Sequence, residues 1–281
     1  MEVNHIAINS NIHFNILKKN IHDYTGVDCS KYKDSYLQRR ITLRMKELKI
    51  PSYDLYSKFL KNDKNEYKIL MDGITINVTE FFRDKGTYDY IQKKLIPSII
   101  SSKIDRNAKT IRIWSAGCSI GMEPYSIGII LHELFGSKIN NFKIYILATD
   151  LDKKALDVAK KGIYDKSVFK YMNKFIIQKY FDIEESEGNV KYAIKDKVKN
   201  LVKFYNYDLF SNSKYSHFDL ILCRNVMIYF TKELQNRLIY DFHNSLNDGG
   251  YLIIGKTESM TGDLNSRYLC INAREKIYQK N

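Results

Sequence analysis

Trp114-Ser115-Ala116-Gly117-Cys118-Ser119-Ile120-Gly121-Met122-Glu123-Pro124 is the stretch on which the fold turns. Just before it, Ile111-Arg112-Ile113-Trp114 reads as a short strand. Just after it, Tyr125, Ile129 and Leu134 recur at helical spacing. A strand, a glycine-bearing turn and a helix make a βα unit, and the carboxyl end of such a strand is where an α/β sheet binds a nucleoside. The spacing here is Gly-x-x-x-Gly. It meets neither the dinucleotide fingerprint Gly-x-Gly-x-x-Gly nor the P-loop with its Gly-Lys-Ser/Thr, which disfavours NAD and ATP. Two glycines alone would also suit a plain strand-to-helix turn.

Working outward, Lys143 to Thr149 predicts a second strand, closed by Asp150, and Lys153 to Lys161 a helix. Phe218-Asp219-Leu220-Ile221-Leu222-Cys223 reads as a buried strand and Thr231 to Leu246 as a helix stopped at Asp248-Gly249-Gly250. Tyr251 to Gly255 supplies one more strand. This alternation predicts an α/β fold, a doubly wound, Rossmann-like sheet over residues 106–281. The acidic run Asp182, Glu184, Glu185, Glu187, then Gly188-Asn189 and Val190 to Ile194, interrupts that rhythm. It predicts a small antiparallel β-subdomain inserted at about 181–202, with a solvated loop as the rival reading.

Residues 1–72 predict a small all-α domain of four helices. The expected apolar stripes are Ile12, Ile16 and Leu17; Tyr36, Leu37, Ile41, Met45 and Leu48; Tyr53, Tyr56, Phe59 and Leu60; and a fourth segment from Lys64 to Met71, ended by Asp72-Gly73. Residues 73–105 are expected to be a linker and a connecting helix over 84–102.

The 281 residues carry 45 Lys+Arg against 32 Asp+Glu, a net charge of +13 that attracts acidic partners without choosing among them. With 44% hydrophobic residues there is ample material for a core. No apolar run approaches the roughly 18 residues that span a bilayer. The opening residues lack a signal-peptide pattern. Cys29, Cys118, Cys223 and Cys270 include no CxxC pair, so reduced thiols in a cytoplasmic protein are expected, without a metal.

Asp150, at a strand end, suits ribose hydroxyls, or alternatively the cap of the next helix. Glu123 suits a cationic ligand end, or a first-turn helix acid. Together with the Gly117 turn, which lacks phosphate-gripping chemistry, these acids point to S-adenosylmethionine (SAM). Cys223-Arg224-Asn225 leaves an apolar strand, where Arg and Asn buried without partners would be costly, so they are expected to face the crevice. For Tyr229 core packing is the rival.

Four motifs in order carry a family resemblance: Asn77-x-Thr79-x-Phe81-Phe82-Arg83, Ser115-Ala-Gly-Cys-Ser-x-Gly-x-Glu123-Pro-Tyr-Ser126, Ala148-Thr149-Asp150, and Cys223-Arg-Asn-Val-Met-Ile-Tyr-Phe230. Over nearly its whole length the chain resembles the CheR chemotaxis receptor methyltransferases. The resemblance implies a helical N-terminal domain and a SAM-dependent α/β domain with a β-subdomain. The implied activity is methyl esterification of specific glutamates on receptor signalling helices, with S-adenosylhomocysteine as the product. It places cofactor contacts on Asn77, Thr79, Arg83, Glu123, Asp150, Asp208, Leu209, Cys223, Arg224 and Asn225. Arg83 and Tyr229 fall near the transferring methyl. Arg39, Arg40, Arg44 and Lys46 fall on the helix that meets the acidic substrate. The hairpin turn, Glu184 to Gly188, is short and acidic, unlike the glycine-richer loop of members that grip a receptor's C-terminal pentapeptide.

The expected partners are therefore methyl-accepting receptors, with no nucleic acid, no membrane insertion and a monomeric state. A nucleic-acid methyltransferase is the nearest rival. The three prolines, Pro51, Pro97 and Pro124, form neither a Pro-Pro-aromatic nor a Pro-Cys motif, which argues against it. A non-catalytic SAM-binding scaffold is the other.

Overall fold

Four helices begin the chain: α1 (Glu2–Thr25), α2 (Asp34–Glu47), α3 (Tyr53–Asn62) and α4 (Lys64–Ile74). The computed structural model describes residues 2–75, 79–186, 189–211, 215–260 and 266–281. Ser52 caps α3 by accepting from the Leu55 amide, and Asp63 caps α4 through the Asn65 amide. The helical core is Phe14, Leu17, Ile21, Leu37, Ile41, Tyr56, Leu60, Leu70 and Ile74. On α1 the buried face is Phe14, Leu17 and Ile21, whereas Ile12 and Ile16 are exposed. The helix is apolar on more than one side, so spacing alone does not choose which side packs. α4 also runs through Gly73, where a stop was expected. Packing holds that last turn, because Arg40 Nε donates to the Gly73 carbonyl at 2.6 Å.

One buried carboxylate organises this unit. Glu66, 2% exposed, receives the Arg44 Nε and Nη2 donors at 2.7 Å each and the Tyr56 hydroxyl at 2.8 Å. A buried carboxylate requires such company.

By contacts the chain falls into two units. The helical one comprises residues 1–76 together with Tyr229–Gln235, and the α/β one comprises 77–228 and 236–281. In the helical unit, the Lys33 amide donates to the Tyr229 carbonyl at 2.9 Å, and the Tyr36 and Tyr229 rings lie 4.7 Å apart.

The α/β unit opens with α5 (Lys85–Tyr90), which passes through a π-helical turn, Ile91–Leu95, into α6 (Ile96–Asp105). The single helix expected over 84–102 is thus locally under-wound, with one wider turn in its middle. Then come β1 (Thr110–Ala116), α7 (Met122–Phe135), β2 (Lys143–Asp150), α8 (Lys153–Lys161), β3 (Ile163–Asp165), α9 (Lys174–Tyr180), β4 (Phe181–Ser186), β5 (Asn189–Ile194) and α10 (Asp196–Lys199). β6 (Val202–Asn206), β7 (Phe218–Cys223), α11 (Lys232–Ser245), β8 (Leu246–Ile254), β9 (Tyr268–Asn272) and β10 (Ile277–Lys280) complete it.

The large sheet has strand order β6-β2-β1-β7-β8-β10-β9. β6, β2, β1, β7 and β8 pair in parallel, and β10 and β9 add an antiparallel edge. The winding runs outward from β1 through β2 to β6, then returns to the other side of β1 with β7. The carboxyl ends of β1 and β7 therefore flank the switch point where such sheets bind ligands. Asp248-Gly249-Gly250, expected as the stop of the helix before it, lies inside β8, which begins at Leu246 and not at Tyr251, and where pairing with β7 shifts register between Phe218 and Leu220. An irregularity of that kind gives a flexible pair of glycines a place within a strand.

The inserted β-subdomain is a second sheet, β3-β5-β4, all antiparallel. The hairpin expected at 181–202 is β4–β5, and β3 adds a strand from just after α8. Glu187 and Gly188 lie outside the described residues. Among the described residues no helix is long and apolar enough to cross a membrane.

Candidate functional site

β1 ends at Ala116 and the chain turns at Gly117, whose φ is +77°. The turn is pinned to the neighbouring strand, because the Gly117 and Cys118 amides donate to the Thr149 carbonyl at 2.8 and 2.9 Å. A β-carbon on Gly117 would sit 2.4 Å from Val226 Cγ2, so the loop after β7 lies directly over this turn. The absence of a side chain is therefore a packing requirement as well as a conformational one.

Asp150 ends β2. One carboxylate oxygen accepts from the Ser119 amide at 2.7 Å and the other from the Asp152 amide at 2.9 Å. The acid thus clasps the two turns, and capping of α8 falls instead to Asp152, which accepts from the Lys154 and Ala155 amides. Each Asp150 oxygen keeps acceptor capacity beyond these bonds. Burial raises the Asp150 carboxyl above the ordinary carboxylate range, opposed by the Asp152 and Ser119 amides.

Arg224 follows β7 directly and is buried. Its guanidinium spans the switch point: Nη1 reaches Glu123 Oε2 at 3.3 Å, while Nη2 donates to Asp84 Oδ2 at 2.6 Å and to the Arg83 carbonyl at 3.0 Å. It also lies 5.4 Å from the Tyr88 ring centroid. Glu123, in the first turn of α7, takes a further bond from the Ser115 hydroxyl at 2.8 Å. Burial raises its carboxyl, with Arg224 and Ser115 pulling the other way.

The segment carrying Arg83 is held from three sides. The Phe81 ring packs 5.2–5.3 Å from the rings of Tyr164, Phe169 and Phe181, and its amide donates to the Val168 carbonyl. The Phe82 amide donates to the Ser126 hydroxyl at 3.1 Å. Beyond Arg83, the Thr87 hydroxyl donates to the buried Glu275 at 2.7 Å. The Phe-Phe pair of the motif is thus an anchor for the segment that carries the half-buried Arg83. Asp208, past the edge strand β6, accepts from the Phe210 amide at 2.9 Å and so shapes the turn that contains Leu209.

Of eight non-glycine residues with positive φ among the described residues, four belong to these segments: Phe82, Asp84, Ser119 and Asn225. Backbone strain concentrates where side chains or amides must be aimed.

The structure brings Arg83, Gly117, Glu123, Asp150, Arg224 and Asn225 together at the strand ends. Thr79 lies partly exposed on the approach to Phe81, and Cys223 is buried at the end of β7. Asn77 lies outside the described residues. Tyr229 belongs to the helical unit, where core packing against Tyr36 accounts for one face of its ring. Arg44 is engaged by Glu66 and Glu47 and Arg40 by the Gly73 carbonyl, which leaves Arg39 and Lys46 as the exposed members of the basic set on α2. Sequence reasoning passed over Asp84, Ser115, Tyr88 and Glu258. An acid next to Arg83 and an acid just past a strand end were the available signals.

The arrangement offers a carboxylate for a pair of hydroxyls, a carboxylate for a cation and a guanidinium for a carboxylate, around a turn that opens and closes on glycine. That donor set fits SAM: a ribose diol, an ammonium and a carboxylate are its polar ends.

Residues 77–277 match the family model of the CheR methyltransferase SAM-binding domain, and residues 12–75 match that of the CheR methyltransferase all-alpha domain. A chemotaxis protein methyltransferase of Borreliella burgdorferi is 33% identical over 272 residues, covering 92% of this chain and 94% of the relative. One from Listeria innocua is 34% identical, covering 84% and 85%. Chemotaxis protein methyltransferase 1 of Pseudomonas aeruginosa is 28% identical, covering 89% and 91%.

Proposed function

The chain belongs to the CheR methyltransferase family, whose larger domain binds SAM, and from that premise we propose that it esterifies glutamate side chains on the cytoplasmic helices of chemotaxis receptors. The observation that carries this reading is the Arg224–Glu123–Asp84 cluster across the switch point, beside Asp150 and the bare Gly117 turn. Asp150 would hold the ribose hydroxyls, Glu123 and Arg224 the methionyl end, and Thr79, Asn77, Asp208, Leu209, Cys223 and Asn225 the remaining contacts. SAM, when bound, supplies a methyl group already activated on a sulfonium.

The chain's own task is then alignment and removal of water. A glutamate carboxylate is ionised at neutral pH and needs no general base. Arg83 would steer that carboxylate toward the methyl group. Arg39 and Lys46 offer the exposed positive charge that an acidic receptor helix would meet.

The test is transfer of labelled methyl from SAM to a receptor cytoplasmic fragment. Base-labile label, released as methanol, is expected, with turnover reduced about 100-fold in Arg83→Ala if alignment is its role. Base-stable label, label on nucleic acid, or full turnover in Arg83→Ala would contradict the reading.

A pH dependence follows from burial of Glu123 and Asp150. Both fold with raised carboxyl pKa values. Protonation on acidification therefore begins above the ordinary carboxylate range, removing the charges that would meet the ammonium and the diol. SAM affinity measured by calorimetry is expected to fall as pH drops from neutral, before ordinary carboxylates titrate. For folding the sign is opposite. An acid with a raised folded pKa makes its full contribution below its unfolded pKa, and loses it as pH rises through the folded value.

A further inference from the structure

Glu258 is buried, 5% exposed, four residues past β8, and makes no ion pair with any cation among the described residues. Its carboxylate instead gathers main-chain amides. Oε2 accepts from Gly255 and, at 3.3 Å, from Asn225, and Oε1 accepts from Ile228 at 3.1 Å. The Met227 amide adds to this set. A buried carboxylate satisfied by amides alone is costly to maintain, so its value lies in what it holds.

What it holds is the loop that follows β7. Asn225 sits at φ +60°, a left-handed conformation that asparagine adopts more readily than most residues with a side chain, and the Glu258 bond to its amide holds it there. Val226, next in sequence, is the residue that lies over Gly117. Three of the five residues from Arg224 to Ile228 give their amides to this one side chain. Close fit extends to the strand itself, because a β-carbon on Gly255 would meet the Asn225 nitrogen at 2.7 Å and Glu258 Oε2 at 2.8 Å.

We propose that Glu258 is a positioning residue for methyl transfer: by collecting the amides of the 225–228 loop it fixes Asn225 and Val226 against the Gly117 turn and so forms one wall of the cofactor crevice. It touches neither cofactor nor substrate and acts through the loop. The inference rests on the reading of this crevice as the SAM site.

The experiment uses the full chain and Glu258→Gln. Glutamine can accept from some of these amides but presents an NH2 group to the others, a donor facing donors. KM for SAM is expected to rise about tenfold as those amides lose their acceptor, with the circular-dichroism spectrum retained. Glu258→Asp keeps the charge one methylene shorter and is expected to recover part of the loss. It carries the test should the glutamine variant not fold.

A double-mutant cycle with Asn225→Ala separates positioning from general destabilisation. If Glu258 acts through the loop, its substitution costs less affinity in the Asn225→Ala background than in the wild type. Unchanged KM in the Glu258 variants, additive effects in the cycle, or a loss that tracks only the unfolded fraction would overturn the proposal. Failure of the wild-type chain to bind SAM would instead overturn the site assignment beneath it.

Discussion

Replacing Arg224 by leucine is expected to destabilise the α/β unit by about 3–5 kcal/mol and to abolish measurable methyl transfer, because it leaves buried carboxylate charge without its partner. The Arg224 side chain is 3% exposed, and it meets Glu123, 12% exposed, and Asp84, 29% exposed. Water reaches Asp84 and moderates its share, so the penalty falls chiefly on Glu123. The same guanidinium also supports the Arg83 carbonyl, so its loss loosens the segment that presents Arg83. Urea unfolding and labelled-methyl transfer measure the two effects separately. Lys191→Ala is the contrasting variant. The Lys191–Asp165 pair is 46% and 67% exposed, and its removal is expected to cost roughly 0–1 kcal/mol. Equal effects from the two substitutions would show that the Arg224 network carries no buried charge.

The second large effect is expected at Gly117. Alanine there takes a left-handed conformation, which costs about 1–2 kcal/mol for a residue with a β-carbon. It also places that carbon 2.4 Å from Val226 Cγ2. Valine is stiff about its first side-chain torsion, and its loop is tied down by Glu258, so neither partner yields easily. The 225–228 loop must lift from the turn. A misplacement near an ångström can cost about 100-fold in rate, so methyl-transfer turnover is expected to fall on that order and SAM affinity to weaken with it. Gly26→Ala isolates the backbone share, since Gly26 has φ +73° and nothing within 4 Å of an added β-carbon. It should lose stability without losing SAM. Calorimetric titration of both variants checks this, and normal affinity in Gly117→Ala would remove the loop from the crevice wall.

The two expectations draw on different kinds of information. The Gly117 turn was legible in the chain itself, because a strand, a tight turn and a helix are written in consecutive residues. So were the strand ends at Asp150 and Cys223, where apolar runs stop at a polar residue. Local propensity and periodicity are properties of short segments, and they located β1, β2, α8 and β7 closely. The four motifs in order added the family, and with it the SAM cofactor and methyl transfer.

Partnership was not legible, because it depends on which distant segments the sheet brings together. Arg224 and Glu123 are separated by 101 positions and meet only because β7 returns beside β1. Asp84 and Glu258 look like ordinary acids until a guanidinium and a set of amides are placed against them. The basic set on α2 reads as four equivalent charges, but Glu66 takes Arg44 into the helical core and the Gly73 carbonyl takes Arg40. Tyr229 is continuous with the β7 motif, but its ring lies against Tyr36 in the helical unit. The linear chain thus determined the elements, the family and the polar residues that stand at the strand ends. Tertiary structure alone decided which charges neutralise one another, because a buried charge is satisfied by whatever packs against it, and sequence distance sets no limit on that.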